Sequence, residues 1–253
     1  MNGEIRKASV WKRGSAYICD LILVATLAVG LAFALSAILG YDRYSARMDE
    51  LYDKYAAEYG IDLELTPEEF EALPQEQKDA YDEADKALQA DPLAIYFYNM
   101  MSSLMLLIIT LSILIAYVAL EFVVPLLFGN GQTIGKKVFG VAVMRTGSLK
   151  ITTMVLFVRA ILGKYTIETM VPVLMLMMLF GGSIGLSGII VLFGLLILQV
   201  CLIIFTKNRT TIHDLLSDCV TVDMASQMIF ESEEARIEYQ KRLHAEIVQK
   251  DNY

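Results

Sequence analysis

Three long uncharged stretches set the pattern of this chain: residues 21–39, 95–120 and 169–206. A helix rises about 1.5 Å per residue and a bilayer core is about 30 Å thick, so about 20 apolar residues cross it. Each stretch therefore predicts membrane-spanning helix. The third is too long for a single span, because 38 residues would make a helix of about 57 Å. Gly181, Gly182, Ser183 and Gly185 supply a break within it. Four spans result, at residues 14–40, 94–120, 164–180 and 186–205.

The polar stretches between them have helical periodicity too. Tyr44, Met48, Leu51, Tyr55 and Tyr59 recur three or four residues apart, and Ala80, Ala84, Ala87 and Leu88 do the same. Thr66-Pro67-Glu68-Glu69 is a helix start, with Thr as N-cap, Pro at the first turn and Glu at the third position. Residues 41–93 thus read as an acidic helical hairpin. In residues 149–163 an apolar face (Ile151, Met154, Val155, Val158, Ile161, Leu162) surrounds one interior charge, Arg159. That length is too short to cross upright and predicts a short interfacial helix. The fold class is all-α: a polytopic membrane helical bundle of about four transmembrane helices plus that interfacial helix, with an extracytoplasmic acidic hairpin. The divisions are 1–40, 41–93, 94–222 and a charged helical tail, 223–253.

Composition agrees, since 56% of the 253 residues are hydrophobic, too many for an ordinary soluble domain. The first apolar run exceeds a signal-peptide core, and no small-x-small cleavage site follows it. Cys19, Cys201 and Cys219 form no disulfide framework or metal motif and read as small apolar side chains. The net charge of −8 is unevenly spread: residues 41–96 hold sixteen acids against five bases. Lys and Arg instead gather before the first span, between the second and third, and after the fourth. The positive-inside rule makes those segments cytoplasmic, with both termini, in a multi-pass protein of the cell membrane. An acidic chain of this kind predicts no nucleic-acid partner.

Candidate chemistry lies where charge meets hydrocarbon. Asp20 opens the first apolar run, Glu121 closes the second and Glu168 precedes the third. Ionisable groups at membrane depth mark ion or substrate sites, or fix helices together as buried pairs. Arg13 and Asp20 are seven residues apart, two turns along one helix face. Arg159 is the expected partner of Asp20, and Asp214 lies near Arg13. Arg13, Asp20, Arg159, Arg209 and Asp214 then form one cluster, a candidate ion or proton site. Glu121, four residues before Pro125, either lines a cavity or reaches the inner interface. Lys164 and Glu168 suit an i,i+4 pair. The Gly131, Thr133, Gly135, Lys136, Gly140 stretch is not a phosphate loop, since Asn130 stands where such a loop needs Gly. Its glycines suit a turn that sets Lys136 and Lys137 near lipid headgroups. His213 suits orientation of the turn at Asp214. No nucleophile, metal set or cofactor motif is legible, so the expectation is a non-enzyme.

Three motifs occur in order: Arg13-x-x-Ala16-x-x-x-Asp20; Gly131-Gln132-Thr133-x-Gly135-Lys136-x-x-x-Gly140-x-x-Val143; and Arg209-Thr210-x-x-His213-Asp214, ending in Val220-Thr221-Val222. In these the chain resembles the RDD family of small integral membrane proteins, named for one arginine and two aspartates. The positions that match are Arg13, Asp20 and Asp214. The acidic insertion and Leu215-Leu216-Ser217-Asp218-Cys219 depart from the usual pattern. The resemblance implies a transporter or ion-coupling subunit, with cation–proton exchange as one form. A homo-oligomer or a partner membrane subunit would complete the pathway for a cation or proton. The other reading is a non-transporting scaffold that recruits partners through its acidic hairpin and tail.

Overall fold

The computed structural model describes residues 6–182 and 185–251. Among the described residues, four helices are long and apolar enough to cross a membrane: Val10–Leu39, Pro92–Phe128, Thr153–Phe180 and Gly188–Phe205. Their outward side chains are apolar, as at Phe33 and Ile204, and give the surface that a bilayer covers. Of the expected break, Gly181 and Gly182 are seen ending the third span, whereas Ser183 lies outside the described residues.

Helix α1 is Val10–Leu39 and helix α2 is Tyr41–Tyr59; Gly40, at φ +73°, turns the chain between them. Helix α3 (Pro67–Glu71) starts with the expected capping box: the Thr66 side chain accepts from the Glu69 N–H while Glu69 accepts from the Thr66 N–H. Helix α4 (Gln75–Ala90) follows. Helix α5 (Pro92–Tyr117) starts at Asp91, which accepts from the Leu93 N–H at 2.7 Å. Residues 29–112 form one compact unit. Its core is Met48, Leu51, Leu63, Ala84, Leu88 and Ala94, with Tyr55 and Tyr59 packed against it; of the periodic positions, Tyr44, Ala80 and Ala87 are not part of that cluster.

Residues 1–28 and 113–253 form the second unit. Here α5 runs through a π-helical stretch, Val118–Val123, into α6 (Val124–Phe128). Helix α7 is Ile134–Val138; strands β1 (Val141–Arg145) and β2 (Leu149–Lys150) come next. The third span is α8 (Thr153–Phe157), a π-helical stretch Val158–Met170, and α9 (Val171–Phe180). Helix α10 (Leu186–Phe205) is the fourth span, and α11 (Ile212–Leu216), β3 (Cys219–Asp223) and α12 (Glu233–Asp251) complete the chain. A proline follows the π-helical stretch in each of these two spans. Pro125 and Pro172 have no N–H for the carbonyl four residues back, and the ladder shifts by one. Val124 accordingly donates to Ala119 and Val171 to Thr166, each five residues back.

The short interfacial helix expected at residues 149–163 is not separate. The stretch starts as β2 and from Thr153 runs unbroken into the third span. Arg159, the one charge inside that stretch, is buried against Asp214. The bundle also carries a small sheet in the order β2-β1-β3, antiparallel throughout. Lys7 bridges to Val222 on its edge. The segment before the first span, the loop between the second and third, and the segment after the fourth therefore hydrogen-bond to one another. Segments so joined share one side of any bilayer the four helices cross.

Candidate functional site

Asp20 is buried on α1, but its partners differ from those expected. Thr133 donates its hydroxyl to Asp20 Oδ2, and the Gly135 N–H donates to Oδ1 at 2.7 Å. Lys136 Nζ stands 3.7 Å from Oδ2. Asp20 thus receives donors of the first turn of α7, which helix geometry leaves unpaired. The approach requires Gly135: a Cβ there would strike the Ala16 carbonyl and the Asp20 carboxylate. Thr133 also N-caps α7, accepting from the Lys136 N–H at 3.3 Å and from Lys136 Nζ at 3.1 Å. Lys136 is therefore buried rather than at lipid headgroups, whereas Lys137 lies over the Phe128 ring, 3.8 Å from its centroid. Burial, reinforced by the neighbouring Lys164 charge, pushes the Lys136 ammonium down to about 7 despite Glu121 and Asp20.

Arg159 pairs with Asp214, not with Asp20. Its Nε is 2.9 Å from Asp214 Oδ1, and Thr221 donates to Oδ2 at 3.2 Å. Arg13 Nη2 approaches the same Oδ2 at 3.8 Å. The first and third spans and the sheet thus converge on one carboxylate of α11. Burial would raise the Asp214 carboxyl, but Arg159 above all, helped by Arg13, holds it below the usual carboxylate range. Among the described residues Arg159 makes no other side-chain hydrogen bond and Arg13 makes none.

Two further pairs lie in the π-helical stretches. Glu121 Oε1 meets Lys164 Nζ at 2.6 Å, while the buried Glu121 Oε2 has no partner. Glu121 therefore does not reach the interface, and Lys164 is taken from the Glu168 pairing expected one turn away. Glu168 instead accepts from the His213 backbone N–H at 3.0 Å and meets His213 Nδ1 at 2.7 Å. Burial pushes the His213 imidazolium down, so the ring is neutral at pH 7, with Nδ1–H donating to Glu168. Thr211 faces Nε2 at 3.0 Å and donates to it. His213 orients the turn before Asp214, in the role that the sequence suggested. Close packing there needs Gly163, where a Cβ would lie 2.6 Å from His213 Cβ.

These groups surround a cavity of about 300 Å³. Arg13, Lys136, Arg159, Lys164 and Asp214 line it, with Ile203 and Tyr17 among the apolar parts of its wall. That volume suits a small organic or inorganic ligand. The expected cluster is thus present in part. Arg13, Arg159 and Asp214 meet as one group, Asp20 belongs to the α7 clamp beside it, and Arg209 is exposed at φ +50° without an ion pair among the described residues. Gly131 (φ +67°) and Gly140 (φ +65°) shape the loop as expected of glycines. The sequence reading passed over Lys164 as partner of Glu121, and over Thr221. A signal was available: Glu121 and Glu168 each stand four residues before a proline. Among the described residues no three His, Cys, Asp or Glu side chains converge as metal ligands.

Four helices, among the described residues, that are long and apolar enough to cross a membrane, with buried ionisable pairs around a cavity, define an integral membrane protein. The RDD family model matches residues 7–218, and the chain belongs to that family. No curated protein and no solved structure matches it.

Proposed function

We propose that the chain is a proton-coupled transporter, or the ion-coupling subunit of one, whose working site is the cavity beside Asp214. One observation carries this reading: Arg13, Lys136, Arg159, Lys164 and Asp214, from α1, α7, the third span and α11, line a single cavity. Membranes tolerate such groups at a high cost, and they mark pathways. The coupling side is Glu121, Lys164 and Lys136. Glu121 has an unused oxygen, and Lys136 gains or loses its proton near neutral pH. Asp20 is no carrier in this reading, because both its oxygens already accept hydrogen bonds. The basic segments joined by the sheet face the cytoplasm, both termini with them, and the acidic unit faces outward.

The test is proton flux in vesicles holding the full chain and a trapped pH-sensitive dye. The double variant Glu121→Gln/Lys164→Gln removes both charges together, so that neither is left buried alone. Flux is expected in the wild type and not in the double variant. Wild-type vesicles no leakier than protein-free ones would overturn the proposal.

A scaffold is the second reading, favoured by the full engagement of Asp20 and by the separate core of the acidic unit. It expects a protein partner that copurifies from membranes and dissociates when the exposed acids of α2 and α4 are neutralised.

A further inference from the structure

We propose that the Arg13–Arg159 side of the cavity seats a phosphate-type anion, either free phosphate or the phosphodiester of a lipid headgroup. The proposal rests on the transport reading for its purpose, and names the ligand class of the same cavity. Two guanidinium groups flank Asp214 on the wall and neither is used up. Arg159 is 1% exposed and spends only Nε on the carboxylate. Its terminal nitrogens donate no hydrogen bond among the described residues, although the residue lines the cavity. Arg13 reaches Asp214 only at 3.8 Å, beyond hydrogen-bond length. Planar forks with spare N–H groups recognise phosphate bidentately, as an ammonium cannot.

The rest of the wall suits the same ligand. Lys164 adds positive charge, and Asp214, the carboxylate that lines the cavity among the described residues, already accepts from Arg159 and Thr221. A bare cation would meet Arg13, Arg159 and Lys164 there. Val10 and Tyr17 line the cavity close to Gly14, so an acyl chain attached to a phosphodiester has apolar wall to lie along.

Full-length protein in nanodiscs tests this, with binding read separately from flux. One arm titrates inorganic phosphate against chloride at matched ionic strength in phosphatidylcholine discs. The other incorporates phosphatidylglycerol and counts retained lipid by native mass spectrometry. Arg13→Gln is expected to weaken whichever ligand binds by about tenfold or more, the worth of a charge-assisted hydrogen bond. Gly14→Leu is the second variant: a Cβ at Gly14 meets nothing within 4 Å, so it folds and fills the cavity mouth. It is expected to abolish binding. Saturable phosphate binding lost in both variants assigns a free anion, and selective retention of phosphatidylglycerol lost in both assigns the headgroup. No binding in either arm, or binding unchanged in both variants, overturns the proposal. Anion binding without proton flux would instead remove the transport reading and leave the seat standing. Flux without anion binding would do the reverse.

Discussion

At the scale of the residue, Asp214 and Asp20 are both buried aspartates, yet they do different work. Asp214 pairs with Arg159 and faces Arg13, whereas Asp20 fastens a loop. Arg159→Leu leaves Asp214 buried without its close partner and is expected to cost about 3–5 kcal/mol. Pairing it with Asp214→Leu removes both charges and is expected to recover most of that loss. Thermal unfolding of the detergent-solubilised protein measures both. Asp20→Asn replaces one accepting oxygen by an NH₂ that faces the donors of α7. The expected loss is about 1–3 kcal/mol, with faster hydrogen exchange at the Gly135 amide and undiminished proton flux. Flux abolished in a folded Asp20→Asn protein would make Asp20 a carrier after all.

At the scale of the element, the two π-helical stretches decide which charges meet. Each precedes a proline, and together they carry Glu121, Arg159, Lys164 and Glu168. An ideal helix puts Lys164 and Glu168 one turn apart as neighbours. The wider winding sends Lys164 to Glu121 and frees Glu168 for His213. Sequence spacing assumes 3.6 residues per turn, so this exchange was not legible from it. The spans, the capping box at Thr66 and the turn role of His213 were legible, because each rests on local pattern. The sheet was not: its strands are five residues or shorter and pair across the whole chain, β1 with β3. Glycine contacts make a second prediction at this scale. Gly163→Ala drives a methyl into His213 and is expected to cost about 1–3 kcal/mol. Gly14→Ala meets open space and is expected to be neutral or stabilising by up to about 1 kcal/mol. Unfolding midpoints of the two variants, compared side by side, check both.

At the scale of the whole molecule, stability depends on pH through groups that burial keeps neutral. The Lys136 ammonium is pushed down from 10.5 to about 7. Between those values the unfolded chain holds a proton that the folded one releases, so stability rises with pH across that window and is lowest below it. His213 is lowered from 6.5 and adds the same sign of slope just below that value. The wild type is expected to melt higher at pH 9 than at pH 7, and Lys136→Met to lose most of the difference. A wild-type melting point that falls between pH 7 and pH 9 would contradict a buried, neutralised Lys136. The larger question is whether the cavity is wet. Ile203 lines it, while the adjacent Ile204 is 65% exposed on the apolar exterior of α10. In a background with Cys19, Cys201 and Cys219 replaced by alanine, each position is changed to cysteine and treated with a charged, membrane-impermeant thiol reagent. A working aqueous site predicts rapid modification at Ile203→Cys, from the side bearing the termini, and none at Ile204→Cys within lipid. An inert Ile203→Cys, or equal reaction at both positions, would contradict it.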